Sequence, residues 1–138
     1  MKSKYFSDPA QVLDVFVETF RRAGLDPQIA GIVGQLNQLV CYDYSQDDPG
    51  IVFYMDSRGG KMEVEPGPPP DKADVTILSG VDTGHLAWSN QLNPTIAMAT
   101  GKIKAKGSAM ALLKLAPVLK LMAPIYKQVL AEKGLATS

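Results

Sequence analysis

The chain has 138 residues, 46% of them hydrophobic and 20% charged, and its 14 basic and 14 acidic side chains cancel at neutral pH. That length holds one domain, over residues 1–138, with a sizeable core, and the balanced charge removes the usual electrostatic argument for nucleic acid as a partner. The single cysteine, Cys41, rules out an internal disulfide framework and suits a reducing cytoplasm.

Met1-Lys2-Ser3-Lys4 runs into an amphipathic segment rather than the apolar core of a signal peptide. Ser7-Asp8-Pro9 reads as a helix start, with Asp8 as N-cap and Pro9 in the first turn. Val12, Leu13, Phe16, Val17 and Phe20 follow at helical spacing and predict a helix packed on a sheet, closed by Arg21, Arg22 and Gly24. Docking on a membrane surface is the second reading of that stripe. Asp26-Pro27 opens a shorter helix with Ile29, Ile32 and Val33, weakened by Gly31 and Gly34.

Residues 35–44 (QLNQLVCYDY) read as the first long strand, with Val40, Tyr42 and Tyr44 on one parity and Leu39 and Cys41 on the other. Asp47-Asp48-Pro49-Gly50 is a turn; its acids lack the ligand spacing of a calcium loop. Residues 51–56 and 61–65 give two more strands, and the three predict an antiparallel meander. Pro66-Gly67-Pro68-Pro69-Pro70 is a stiff turn, not a domain linker.

Residues 73–78 (ADVTIL) predict a fourth strand with Val75 and Ile77 on one face. Asp82 or Thr83 would cap a short helix carrying Leu86 and Trp88, ending near Asn90. Asn93-Pro94 starts another, with Ile96, Ala97 and Met98, closed by Gly101. In residues 102–106 a period of two places Lys102, Lys104 and Lys106 on one face and Ile103 and Ala105 on the other. This fifth strand reads first as an edge whose lysines discourage pairing with another sheet, and second as a basic stripe for anionic head groups. Gly107 and Ser108 then break the strand and cap a helix.

The last segment, 108–133, is apolar on more than one stripe. Val118, Leu121, Met122, Ile125 and Val129 make one face, and Leu115, Leu119, Tyr126 and Leu130 fill much of the rest. Pro117 is expected to end one helical piece and open another, since it cannot donate an interior hydrogen bond. No window is expected to span a bilayer. The apolar surplus exceeds what one buried face needs and calls for a ligand, a bilayer surface or a partner subunit.

Little here suggests catalysis. His85 is the only histidine, so no histidine cluster can hold zinc, and beside Trp88 it reads as a surface or half-buried residue. No phosphate-binding glycine loop is present; Gly101 to Gly107 is interrupted by the lysine strand. The expectation is therefore a protein that is not an enzyme, with no metal and no cofactor.

The order of Ala73-Asp74-Val75-Thr76-Ile77, Leu92-Asn93-Pro94, Gly101-Lys102-Ile103-Lys104-Ala105-Lys106-Gly107 and Met110-Ala111-Leu112 resembles the sterol carrier protein type two family, also called non-specific lipid-transfer proteins. The close match covers about a third of the chain. The resemblance implies an α+β fold: a five-stranded, mostly antiparallel sheet covered on one face by helices, with an apolar tunnel between the layers closed by the last helix. By position it implies a wall made of Phe53, Ile77, Leu86, Trp88, Ile96, Met98, Ile103, Met110, Leu113, Leu115, Val118 and Met122, with Trp88 foremost. Each of these also reads as a plain core residue. Lys102, Lys104 and Lys106, with Lys114 and Lys120, would attract an anionic head group.

The chain departs from the family pattern in three places. Gly84 stands where members commonly carry a bulky aromatic, which would enlarge the pocket or loosen the helix. Ala136-Thr137-Ser138 is not the peroxisomal tripeptide of eukaryotic members. The tail after Pro117 is long and apolar and would plug the tunnel, extend it, or form a dimer face.

The expected function is non-covalent binding, and transfer, of a fatty acid, fatty acyl-CoA, phospholipid or sterol, with transient contact to a membrane surface. Burying an acyl chain needs only apolar wall: at about 0.8 kcal/mol per CH₂, about fifteen groups contribute on the order of 12 kcal/mol before ordering costs. The rival is a structural module that forms a homodimer, or docks on a lipid-metabolising enzyme, through the apolar last helix. A weaker third reading is an accessory domain presenting lipid to an enzyme.

Overall fold

A computed structural model describes residues 2–137; Met1 and the last residue of the terminal tripeptide, Ser138, lie outside the described residues. The chain forms ten elements: α1 (Pro9–Leu25), α2 (Pro27–Leu36), β1 (Leu39–Tyr44), β2 (Ile51–Asp56), β3 (Glu63–Pro66), β4 (Val75–Leu78), α3 (Val81–Trp88), α4 (Pro94–Ala99), β5 (Lys104–Gly107) and α5 (Ala109–Glu132). The five strands make one sheet in the order β3-β2-β1-β4-β5. All pairs are antiparallel except β1 with β4, which run parallel. That one parallel pair arises because, after β3, the chain returns to the opposite end of the sheet before β4 pairs with the far side of β1.

Register separates the two faces. Phe53, Tyr42, Ile77 and Ala105 lie in one cross-strand row, and all four belong to or pack against the core. The opposite parity holds Tyr54, Cys41, Thr76 and Lys106. Helices therefore cover one face, as expected, and β5 is an edge strand whose Lys104 and Lys106 are exposed.

Helix starts follow the sequence closely where a side chain can cap. Asp8 accepts from Gln11 N, Asp26 from Gln28 and Ile29, Asn93 from Thr95 and Ile96, and Ser108 from Ala111, satisfying amides that lack an intrahelical partner. At α3 the N-cap is Gly80, with no side-chain bond. Asp82 is not the cap: it accepts hydrogen bonds from the Ser3 hydroxyl and the Lys4 amide, tying the N-terminal segment to α3.

Several boundaries differ from the sequence reading. The first strand starts at Leu39 rather than Gln35, since Gln35 and Leu36 finish α2 and Asn37 adopts a left-handed conformation (φ 48°) that turns the chain into the sheet. The β5 strand begins at Lys104 and takes in Gly107, where φ is +111° and a Cβ would lie 2.3 Å from the Asp74 carbonyl. Only glycine fits there.

Pro117 does not break the last helix. The α5 helix runs unbroken through both Pro117 and Pro124, and both prolines are exposed. Seven residues apart they lie on one face, so the carbonyls left without partners sit toward water, where solvent can satisfy them. The unbroken helix corrects a second expectation: by length and apolar composition alone, α5 is sufficient to cross a membrane. In this fold its Val118, Met122, Tyr126, Val129 and Leu130 are instead in the core.

Candidate functional site

Between the sheet and the helices lies an aromatic layer. The α1 stripe contributes Phe16 and Phe20, the inward parity of β1 and β2 contributes Tyr42, Tyr44 and Phe53, α3 contributes Trp88 and α5 contributes Tyr126. These rings are in mutual contact: Phe53 stacks on Tyr42 at 4.9 Å between centroids and on Phe16 at 5.4 Å, and Trp88 meets Phe20 edge-on at 5.1 Å. Offset and edge-to-face pairs of this kind add to the burial of the rings themselves. This is the layer in which the resemblance places its tunnel.

Trp88 and Tyr44 pair their polar atoms inside the layer. Trp88 Nε1–H donates to the Tyr44 hydroxyl at 2.9 Å. Burial pushes the Tyr42, Tyr44 and Tyr126 hydroxyls far above the ordinary phenol range, so all three stay neutral.

The structure sorts the predicted wall residues into three sets. Phe53, Ile77, Trp88, Ile103, Val118 and Met122 are buried against the layer. Leu86 and Leu115 are half-buried. Ile96, Met98, Met110 and Leu113 face solvent, with Leu113 68% and Ile96 59% exposed. The exposed four flank β5 in the chain, two in α4 before it and two in the first turns of α5 after it. Lys102, Lys104, Lys106, Lys114 and Lys120 are exposed as well.

Sequence reasoning missed an opening at the other edge of the sheet. A cleft of about 170 Å³ lies between α1 and the β3 side, lined by Val17, Phe20, Arg21, Met62 and Val64. Phe20 belongs to the aromatic layer, so the cleft reaches it. The signal was available: Val17 and Phe20 share a helix face, and Met62 and Val64 share a strand parity, but only the tertiary fold sets them opposite one another. A larger cleft, about 410 Å³, lies along residues 2–7 with Asp48 and Pro49.

Gly84 and His85 are both corrected. The space beside Gly84 is not extra pocket: a Cβ there would lie 2.9 Å from two ring atoms of Tyr44. Tyr44, on the facing strand, fills the volume that the resemblance assigns to an aromatic on the helix. His85 is fully buried, not on the surface. It stacks on Tyr5 at 4.0 Å, its Nδ1 lies 2.7 Å from the Tyr126 hydroxyl, and its Nε2 lies 2.8 Å from the Thr137 carbonyl. A carbonyl only accepts, so Nε2 carries the proton and Nδ1 accepts from Tyr126. Burial lowers the His85 pKa below its ordinary value, opposed by the Thr137 carbonyl and Asp82. With both nitrogens committed, this histidine is a structural clasp holding the C-terminal tail.

The described residues hold no cluster of histidine, cysteine or acidic side chains suited to a metal ion, and burial raises the Cys41 thiol pKa, so its reactive thiolate form is disfavoured.

The fold is thus a helix-covered mixed sheet with an apolar, ring-rich layer between sheet and helices. The profile of the SCP-2 sterol transfer family matches residues 17–120, and the chain belongs to that family. The general role of that fold is lipid binding and transfer. Among curated proteins, the chain is 32% identical over 106 residues to hydroxysteroid dehydrogenase-like protein 2 of Homo sapiens, covering 76% of this chain and 25% of that one. With the Mus musculus protein of the same name it is 35% identical over 82 residues, covering 59% and 16%. The chain thus spans a quarter or less of these two relatives. Among solved structures, the sterol carrier protein domain 2 of Helicoverpa armigera superposes with a TM-score of 0.71 at 18% identity, covering 86% of this chain and 94% of that one. The palmitated SCP2L2 of Aedes aegypti gives 0.59 at 22%, covering 78% and 93%.

Proposed function

We propose that the domain binds the acyl chain of a lipid in the aromatic layer and passes it between lipid surfaces. The observation that carries this is the cleft between α1 and β3, whose lining includes Phe20 of the buried ring cluster with Val17, Met62 and Val64. At about 170 Å³ the cleft is smaller than the several hundred Å³ of ordinary ligand sites, so binding works by parting the layer, with Met62 as the adaptable side chain at its edge. Phe53, Ile77, Leu86, Trp88, Ile103, Leu115, Val118 and Met122 form the wall, and Ile96, Met98, Met110 and Leu113 the rim near β5. Crossing the sheet from β3 to β5 spans four strand spacings, about 19 Å at about 4.8 Å each, room for an acyl chain laid across the strands. The head group then lies by Lys102, Lys104 and Lys106. Fatty acid, acyl-CoA and phospholipid fit this reading better than a rigid sterol, because the rings have to part only by the width of one chain. The single buried cysteine supports a cytoplasmic setting.

Mass spectrometry of the purified protein, native and after organic extraction, tests the proposal. A bound mass that vanishes on extraction and returns as a lipid in the extract is the expected result. A protein that stays ligand-free after incubation with fatty acid, acyl-CoA and phospholipid would refute it. In that case concentration-dependent mass would identify a homodimer through α5.

A second reading draws on the curated relatives, which carry a dehydrogenase-like name and of which this chain matches only a part. There the domain presents lipid to an enzyme. Co-elution with such an enzyme, dependent on bound lipid, is its test.

A further inference from the structure

The net charge of zero hides a segregation. From residue 83 to residue 131 the chain contains six lysines and no aspartate or glutamate. None of those lysines takes part in an ion pair among the described residues, whereas Arg21, Arg22, Arg58 and Lys133 all do. Four of the five large apolar side chains that stand exposed, Ile96, Met98, Met110 and Leu113, lie in the same acid-free stretch.

The α5 helix gathers these features on one face. At roughly 100° per residue, Met110, Leu113 and Pro117 form the outward stripe, opposite the buried Ala111, Val118, Met122 and Val129. Lys114 flanks the stripe on one side and Lys120 on the other, with Lys127 two turns further along. An apolar ridge bordered by lysines on both sides is the arrangement of a helix lying at a bilayer surface, where the side chains enter the acyl boundary and the ammonium groups reach back to the phosphates.

We infer that the outward face of the first half of α5 docks the protein on anionic phospholipid bilayers. A second copy of the chain is a poorer occupant. A two-fold contact sets the same patch against itself, and here that opposes lysines to lysines with no acid on the face. A protein partner would have to offer an acidic groove to this lysine-bordered ridge, and binding to polyglutamate separates that case from a bilayer. This inference does not depend on which lipid the interior binds, nor on whether it binds one.

Flotation of the full chain with phosphatidylcholine vesicles, with and without phosphatidylglycerol, is the test. The protein is expected to float with the anionic vesicles only, and to be released by added salt. Leu113→Gln with Met110→Gln, and separately Lys114→Gln with Lys120→Gln, should each weaken binding about tenfold or more. Both pairs are exposed, and an unchanged circular dichroism spectrum would show that the variants fold. Lys61→Gln with Lys72→Gln, both exposed and far from α5 in the chain, should retain most of the binding. Equal flotation with neutral vesicles, no flotation, loss of binding only in the Lys61 and Lys72 pair, or a dimer dissociated by Leu113→Gln would each overturn the inference. So would binding to polyglutamate that matches binding to vesicles and ignores the Leu113 and Met110 changes.

Discussion

Gly84→Ala is expected to destabilise the protein, although the change normally favours a helix. In a helix interior alanine is better than glycine by about 1 kcal/mol. Here the new methyl would lie 2.9 Å from Cε2 and Cζ of Tyr44, well inside the ordinary carbon contact of about 3.5–4.0 Å. Tyr44 cannot easily yield. Its ring is buried, packs at 5.6 Å from Phe16 and 5.9 Å from Phe53, and its hydroxyl accepts from Trp88 Nε1 at 2.9 Å. Overpacking a core by one methyl costs about 1–3 kcal/mol, and pulling Tyr44 off Trp88 would add about 1 kcal/mol or more for the unpaired indole N–H. The net loss is about 1–3 kcal/mol, or a fall in Tm of about 3–12 °C for a chain of this size. Urea titration of the wild type, Gly84→Ala, Tyr44→Leu and the double variant measures it as a cycle. Removing the ring should make the alanine neutral or favourable, with a coupling of about 1 kcal/mol or more. A Gly84→Ala protein that is more stable than the parent would refute the claim that Tyr44 occupies this space.

Three further outcomes follow from the same packing. Gly107→Ala combines a positive φ with a 2.3 Å approach to the Asp74 carbonyl and should cost about 3 kcal/mol or more, read from the urea midpoint. His85 is held neutral when folded, with its pKa lowered from 6.5; above 6.5 its contribution is complete, and stability should fall as pH drops from 6.5 through the lowered folded value, because only the unfolded chain takes up the proton there. Titrating stability against pH for the parent and for Tyr126→Phe with His85→Gln should show that slope in the parent and a weaker one in the variant. Met62→Trp fills the α1–β3 cleft and should reduce uptake of a fluorescent fatty acid several-fold with little change in stability; undiminished uptake would place access to the layer elsewhere.

Much of the fold was legible because local chemistry and tertiary packing agree. Asp8-Pro9, Asp26-Pro27 and Asn93-Pro94 each cap a helix in the structure as their sequences predict, and the alternation in residues 51–56 gives β2 its bounds. The misreadings occur where a local rule met a distant partner. Asp82 had the chemistry of a cap, but Ser3 and Lys4, far away in the chain, claim its carboxylate. Pro117 had the chemistry of a helix breaker, but it faces solvent on a helix held from the other side by the core.

By itself the sequence determined the elements, their inward parities and the family, because periodicity, capping residues and the lysine strand are local properties of the chain. Only the tertiary structure decided which apolar residues share a space. Phe20 and Met62 approach across α1 and β3 to make a cleft, Tyr44 reaches into the room left by Gly84, and His85 is sealed by Tyr5, Tyr126 and Thr137. These contacts join residues tens of positions apart, and no period in a sequence encodes which of two buried faces will meet.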